Sequence, residues 1–172
     1  MAYCPVNLAG IAGSCETSMG GLKKVYIATF ADNIYTIDTT ANTVTGISTA
    51  VTWYEYNFKK GVCSMTSTLN VDNANGVNYV STELVLQFLK MDTAKRVEVG
   101  ALCTGDIAVI AQDANGKYWA LGVSEPVNAS AGTAQTGQAK TDGNFYQVTL
   151  SDDQTSFPPE VTQAAIDAMT KA

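Results

Sequence analysis

The segment from residue 62 to residue 89 constrains the fold more than any other part of the sequence. Polar and apolar residues alternate along residues 63–71, and they alternate again along residues 80–88. Between these two arms lies the pair Asn75-Gly76, which tolerates the positive φ that a tight turn requires. An alternation of period two indicates β-strands. The segment is therefore predicted to form one long hairpin with arms of about 35 Å, roughly twice the usual strand length.

The rest of the chain also carries mainly strand patterns. Residues 23–30 and 34–38 are rich in β-branched and aromatic side chains and flank a turn signal at Asp32-Asn33, so they predict a short hairpin. Further strands are predicted at residues 43–48, 51–58, 106–112, 117–123 and 144–151. Charged residues make up only 15 % of the chain, and the abundant threonine suits pleated, half-buried surfaces.

Two helices are predicted among these strands. Asp92 is placed to cap a helix over residues 93–102, and Pro158-Pro159 introduce a shorter helix over residues 160–169. The apolar residues on one face of the first helix are Ala94, Val97 and Ala101. The predicted fold class is mainly β with one packed α-helix, as a β-sandwich or barrel-like body that carries a long β-hairpin.

A length of 172 residues fits a single domain. Residues 1–22 are glycine-rich without a clear period and predict an irregular N-terminal arm. The body is predicted over residues 23–151, with the helix at 92–102. Residues 126–143, rich in Ala, Gly, Thr and Gln, are predicted to be a flexible excursion, and residues 152–172 a C-terminal tail with a short helix.

The composition removes most catalytic chemistry. The chain has no histidine, the commonest general base and a common metal ligand. No nucleophile elbow or Ser-x-x-Lys motif occurs, and Asp152-Asp153 are predicted to be solvated turn residues. Residues 72–76 with Glu83 match a calcium loop only in part, because Ala and Gly stand at two ligand positions. The sequence predicts no enzyme, no cofactor and no metal site.

Cysteine usage and hydropathy bear on the compartment. Cys4, Cys15, Cys63 and Cys103 show no CxxC spacing and are predicted to be small buried thiols in a reducing cytoplasm, with a Cys4–Cys15 disulfide as the local alternative. The longest apolar runs are far shorter than the ~20 residues that a bilayer requires. Neither a membrane span nor a secretory signal is expected.

The charge argues against a surface that grips nucleic acid. Ten Lys and Arg residues face sixteen Asp and Glu residues, which gives a net charge of −6, and Arg96 is the one arginine. A duplex-binding surface needs several clustered cations to displace counterions. The sequence contains no such cluster.

The long hairpin predicts self-association. Its arms reach beyond what one small domain covers, and unpaired strand edges invite further pairing. The hairpin contains no proline, and its charged residues are Asp72 and Glu83. A ring of about six subunits, each lending about four strands to one closed barrel, would remove every edge and enclose a bore within a backbone roughly 45 Å across.

Several segments resemble the tail tube proteins, or major tail proteins, of bacteriophages. They are KKVYIATF at 23–30, the hairpin, the helix at 92–102, DIAVIAQDANGKYWALG at 106–122 and DGNFYQVTLS at 142–151. In its residue pattern the chain is similar to the tail tube proteins of phages that infect Bacteroides-type bacteria, and the resemblance covers most of residues 1–155. It implies a virion protein, made in the bacterial host cytoplasm, whose hexameric rings stack into a tube. Its implied partners are further copies, other tail proteins and double-stranded DNA in passage, without specific binding or catalysis.

Polar hairpin residues are the candidates for lumen or inter-subunit contacts. One predicted solvent-facing row is Ser81, Glu83 and Gln87, another is Ser64, Thr66 and Thr68, and the turn adds Asp72, Asn75 and Gly76. These rows face a bore, the next ring, or the exterior of a sandwich. A conduit must not hold its cargo, so its wall should either repel phosphate or be neutral. Residues 1–22 and 126–143 are candidates for ring-to-ring contacts or plain loops.

Two other readings remain open. A neck or terminator ring, or the tube of a contractile injection system, would share the fold. A carbohydrate- or host-binding β-sandwich would instead use Trp53, Tyr54 and Tyr56 as a stacking platform. Self-assembly separates the ring-forming classes from a monomeric binding module.

Overall fold

In the computed structural model, which describes residues 10–13 and 15–172, two antiparallel-rich sheets pack face to face. The elements in chain order are β1 (Leu22–Thr29), β2 (Tyr35–Asp38), β3 (Thr43–Ile47), β4 (Tyr54–Asn57), β5 (Ser64–Asp72), β6 (Val77–Leu89), α1 (Thr93–Thr104), β7 (Ile107–Asp113), β8 (Tyr118–Leu121), β9 (Asn128–Gln135), β10 (Phe145–Gln154), β11 (Glu160–Val161) and α2 (Gln163–Ala168). One sheet has seven strands in the order β2-β3-β11-β8-β7-β1-β4, and the other has four in the order β5-β6-β10-β9. The predicted mainly β, sandwich-like fold class is confirmed.

The core lies on both sides of the seven-stranded sheet. Between the sheets, alternate residues of β1 and β7 pack against β6 and β10, for example Val25 against the layer that contains Leu84 and Leu150. On the far side, Tyr26 and Ile110 belong to a second cluster that α2 and Trp53 complete. Strands β1 and β7 are buried on both faces, which explains their nearly continuous apolar sequences.

The predicted hairpin at residues 62–89 is confirmed. Strands β5 and β6 pair antiparallel from Ser64↔Val85 to Asp72↔Val77. Gly76 adopts φ 67° at the turn, where glycine carries no Cβ penalty. Strand β10 joins β6 only as far as the pair Gln154↔Val80. Beyond that pair the hairpin continues as two strands alone, and we call residues 69–80 the hairpin tip.

The predicted hairpin of residues 23–30 and 34–38 is wrong. Both strands form, but β1 pairs with β7 and β4, whereas β2 pairs with β3. The turn signal at Asp32-Asn33 reverses the chain without pairing its flanks. Because β1 is apolar on both faces, its burial is completed by β7, an equally apolar strand from far along the chain.

Residues 126–143 are not a flexible excursion throughout. Residues 128–135 form β9, which pairs with β10 from Ser151↔Asn128 to Phe145↔Gln135. Its Ala, Gly and Thr residues give no apolar alternation, so no strand pattern was visible. Small residues suit this position because α1 packs against β9 and β10. A Cβ on Gly132 would lie 3.9 Å from the Cys103 Sγ.

Residues 152–172 are part of the body and do not form a separate tail. Strand β10 continues to Gln154, and β11 pairs with β3 and β8. Helix α2 is shorter than predicted, because Thr162 caps it and residues 160–161 extend into the sheet. Its Ala165 and Ile166 are buried in the far-side cluster. Apolar burial therefore fixes the C-terminal segment to the sandwich.

Candidate assembly surfaces

Both predicted polar rows lie on one face of the four-stranded sheet. Thr66 pairs with Glu83 and Thr68 with Ser81, so the rows of β5 and β6 continue each other. Strand β10 extends them, because Glu83 also pairs with Ser151. We call this solvent-facing side of β5, β6, β10 and β9 the outer face. Its other members include Ser64, Val85, Gln87, Gln147, Thr149, Asp153, Asn128, Ala131, Thr133 and Gln135.

The outer face is polar and weakly acidic. Across the described strands that build it, Asp72, Glu83 and Asp153 carry its charge, and no lysine or arginine shares this side. All three carboxylates are exposed. The remaining positions are mostly hydroxyls and amides, so an anion in front of this face meets no fixed positive charge.

Asp72 organises the hairpin turn. Its carboxylate accepts hydrogen bonds from the Ala74 N–H at 3.0 Å and from the Asn75 side-chain amide at 2.6 Å. These bonds, the Asn75 amide first, lower the pKa of Asp72. No cluster of three acidic or sulfur ligands occurs among residues 10–13 and 15–172. Asp72, Asn75 and Gly76 thus form a turn at the end of the hairpin tip that is closed by its own hydrogen bonds.

The hairpin tip exposes large apolar side chains on both sides. Leu69 (48 % exposed) and Val71 (55 %) point to the side that farther down the hairpin faces the core, while Val77 and Tyr79 lie on the outer face. No element of the described chain covers them. Exposed apolar residues grouped in this way mark an interaction surface.

The four-stranded sheet has two open edges. In the part of the chain that the structure describes, β5 pairs only with β6 and β9 pairs only with β10. Neither strand contains proline or lysine, the residues that commonly block edges. Strand β5 pairs with residues 77–85 of β6. Strand β9 pairs with β10, and through β10 it is level with residues 83–89 of β6. The edges are therefore staggered by about five residues along the strand direction.

Helix α1 forms as predicted, but its apolar face is turned outward. The Asp92 carboxylate accepts from the Lys95 N–H at 2.8 Å, which lowers the pKa of Asp92. Leu102 is buried, whereas Val97 is 63 % exposed. Ala94 and Ala101 are exposed as well. The buried side runs through residues 95, 99 and 102 instead, because both sheets approach the helix there.

The described part of the N-terminal arm is irregular, as predicted, but anchored. The Asn115 side chain accepts from the Met19 N–H at 2.8 Å and donates to the Met19 carbonyl at 3.1 Å. Asn115 belongs to the β7–β8 turn, so its Asn-Gly signal identified a turn but not this contact. Strand β1 begins at Leu22, the last residue of the predicted arm.

The cysteines differ from the prediction. Cys63 is buried, which raises its pKa, but Cys15 and Cys103 are exposed free thiols. Cys103 lies beside Gly132 of the edge strand β9, and the glycine has no side chain to cover the thiol. Cys4, and with it the predicted Cys4–Cys15 disulfide, lies outside the described residues.

The aromatic residues do not build a stacking platform. Trp53 is completely buried and its ring packs 6.0 Å from that of Tyr35. Tyr56 makes an edge contact with Phe88 between the sheets. Tyr54 alone is well exposed. The three residues predicted as a platform therefore separate into two cores and one surface position.

Asp152 is the buried ionisable group that sequence reasoning missed. It lies in β10, 1 % exposed, and not in a solvated turn. Its carboxylate accepts from the Gly122 N–H at 3.2 Å and the Gln154 amide at 2.7 Å. Burial is the main cause that raises the pKa of Asp152. The period of β10 places Asp152 in line with Val148 and Leu150, which is the signal that identifies its inward direction.

Comparisons with known proteins leave the family open. No protein-family model matches the chain, and no curated protein matches it significantly. The described helices are too short and too polar to cross a membrane.

Proposed function

We propose that this protein is the subunit of a bacteriophage tail tube, in which rings of six copies stack around a bore that passes double-stranded DNA. The observation that carries the proposal is the four-stranded sheet with two open, staggered edges and one polar, acidic face. The sequence resemblance stated above supports it. As a virion component, the protein would have other tail proteins as partners.

The strand directions favour closure. Each neighbouring pair in the order β5-β6-β10-β9 is antiparallel, so β5 and β9 run in opposite directions. Rotation about a ring axis preserves strand direction. If β5 of one copy lies beside β9 of the next, the new pair is antiparallel as well. We call the β5–β9 junction between two neighbouring copies the seam. Because each copy contributes an even number of alternating strands, every seam is equivalent and the closed ring has no open sheet edge.

The stagger of the edges agrees with barrel geometry. An offset of about five residues over four strand spacings corresponds to a strand tilt of about 40°, within the usual range of roughly 35–45°. Six copies would supply about 24 strands and a backbone diameter of about 48 Å. With side chains pointing inward, such a barrel leaves a water-filled bore.

The outer face suits a conduit wall. Turned toward the bore, it would present hydroxyls, amides and the carboxylates of Glu83 and Asp153 to the cargo. Phosphates would find no cation to displace their counterions, so the duplex would not be held. A glycan-binding module is less well supported, because Trp53 is buried away from Tyr54.

Self-assembly tests the proposal. Purified full-length protein is examined by light scattering and negative-stain microscopy over a range of salt and protein concentrations. We expect six-fold rings that stack into tubes. Protein that stays monomeric under every condition would refute the proposal. Single rings that never stack would favour a neck or terminator ring instead.

A further inference from the structure

We propose that the exposed side of α1 in one copy is the docking surface for the apolar hairpin tip of the adjacent copy in the same ring. The exposed side consists of Val97, Gly100, Cys103 and Thr104. This contact rests on the proposed ring. It would join neighbouring copies at the seam, on the side of the barrel wall that faces away from the bore.

Among the residues that the structure describes, nothing covers one side of helix α1, which has room for large side chains. Val97 is 63 % exposed, and Cys103, which is also exposed, lies about 1.7 turns farther along. A Cβ built on Gly100 meets nothing within 4 Å. The opposite side of α1 rests on β9 and β10. The helix therefore stands beside the open β9 edge with a shallow, uncovered surface.

The hairpin tip offers the complementary side chains. Leu69 and Val71 lie on the core-facing side of β5, but the subunit's own core does not reach them. Closer to the body, Ser67 pairs with the buried Thr82, and their hydroxyls are 2.8 Å apart. This polar pair separates the covered part of β5 from Leu69 and Val71.

The seam brings the two surfaces together. A neighbouring β5 placed along β9 continues the sheet, so its core-facing side points toward the same layer as α1. An offset of six residues, close to the stagger of about five and even as the alternation of the two faces requires, brings Leu69 of the neighbour level with Gly132. Gly132 is the residue beside Cys103 of α1. Leu69 thus reaches the Cys103 end of the helix, and it would lose its exposure there.

Cross-linking tests this contact with a thiol that the chain already has. The variant Leu69→Cys is made with Cys4 and Cys15 changed to Ser and with Cys103 retained, and assembled protein is treated with a short bismaleimide. We expect a ladder of covalent oligomers up to the hexamer. The matched control Thr68→Cys, one residue away on the opposite side of β5, should give no ladder, and Cys103→Ser should abolish it.

A bulky substitution gives a second readout. Gly100→Arg has space in the monomer and removes a helix glycine, so the melting temperature should not fall. Ring formation should nevertheless drop at least tenfold. Ala94→Arg should assemble normally, because Ala94 shares a side of the helix with Glu98 and Ala101, which lie near Tyr54 and Tyr56 of β4. Rings that form with neither the ladder nor sensitivity to Gly100→Arg would overturn this contact and leave the tube intact. If the parent protein forms no rings, both proposals fail.

Discussion

Asp152 is held between the two sheets by groups from both of them. Its carboxylate accepts a hydrogen bond from the N–H of Gly122, which follows β8 of the seven-stranded sheet. The second donor, the Gln154 side-chain amide, belongs to β10, the strand of Asp152 itself. Gly122 adopts φ 75°, and a Cβ there would lie 3.2 Å from Val127 and from the backbone of β7. Nearby Asp153 and Glu125 add negative charge. Burial first, and these charges after it, raise the pKa of Asp152 above its ordinary value, although the two hydrogen bonds act in the opposite direction.

Asp152→Asn tests this assignment through the pH dependence of stability. Because the pKa of Asp152 is raised in the folded state, its contribution to stability is full below the pKa of the unfolded chain and is lost as pH rises through the folded pKa. We expect the difference in unfolding free energy between variant and wild type, measured by urea denaturation, to shift in favour of the variant between pH 4 and pH 8. A difference that stays constant over that range would contradict the raised pKa.

Asp152→Ala is the control for the hydrogen bonds. It leaves the buried Gly122 N–H without its acceptor, which should cost about 1–3 kcal/mol. This loss of unfolding free energy should be present at both pH 4 and pH 8. The pH-dependent shift expected for Asp152→Asn should be added to it. The comparison separates the electrostatic effect of the carboxylate from its role as an acceptor.

Single residues show where sequence reasoning worked and where it failed. The alternation in β6 correctly assigned Leu84 and Leu86 to the inside and Glu83 to the outside, because a half-buried strand has a strict period of two. The same period continues in β10 past residue 151, the end of the predicted strand, and this continuation directs Asp152 inward and not into solvent. A carboxylate is rarely buried, and only the partner Gly122 from a distant segment makes it tolerable here.

At the scale of elements, strand positions were predictable and strand partners were not. Residue patterns indicated most strands and both helices, since these depend on local periodicity. The partner of β1 depends on which distant strand is equally apolar, and β9 has no pattern because its small residues are selected by contact with α1. The outward direction of Val97 follows likewise from where both sheets approach the helix.

Residues 71–78, the outer part of the hairpin tip, can be removed without touching the core. Asn70 and Tyr79 are paired, so residues 71–78 can be replaced by Asn-Gly to give a two-residue turn. Val80, which is buried, keeps its place. We expect the shortened protein to melt within a few degrees of wild type but to form no rings in negative stain, because the end of the β5 edge and the exposed side chains of Val71 and Val77 are lost. Normal rings would show that the hairpin is not needed for assembly.

A control for this truncation is available in the β7–β8 turn. Substituting Asn115 by Ala removes the contacts to Met19 without altering either open edge of the four-stranded sheet. Rings should still form, although the arm is released. Loss of rings in both variants would indicate general destabilisation and not a specific role of the hairpin tip.

At the scale of the whole molecule, net charge and its placement act together. The chain carries −6, so a ring of six copies would carry about −36. Sequence alone supplied this sum, but not the collection of both predicted rows on one face, since that required the β5–β6 register. The register places Glu83 and Asp153 on the same side as neutral hydroxyls and amides.

Reversing charge on this face should turn a passive wall into one that retains DNA. In the double variant Glu83→Lys/Asp153→Lys, each copy places two new cations on the outer face, and tubes assembled with short duplex DNA should protect it from nuclease. Protection should fall steeply with salt, because the contacts are counterion-dependent. Glu98→Lys is the control for positive charge placed elsewhere, since Glu98 lies on α1, away from the outer face. DNA bound by that variant should be digested, and wild-type tubes should protect none. Equal protection by Glu98→Lys, or no binding by the double variant, would place the outer face somewhere other than the bore.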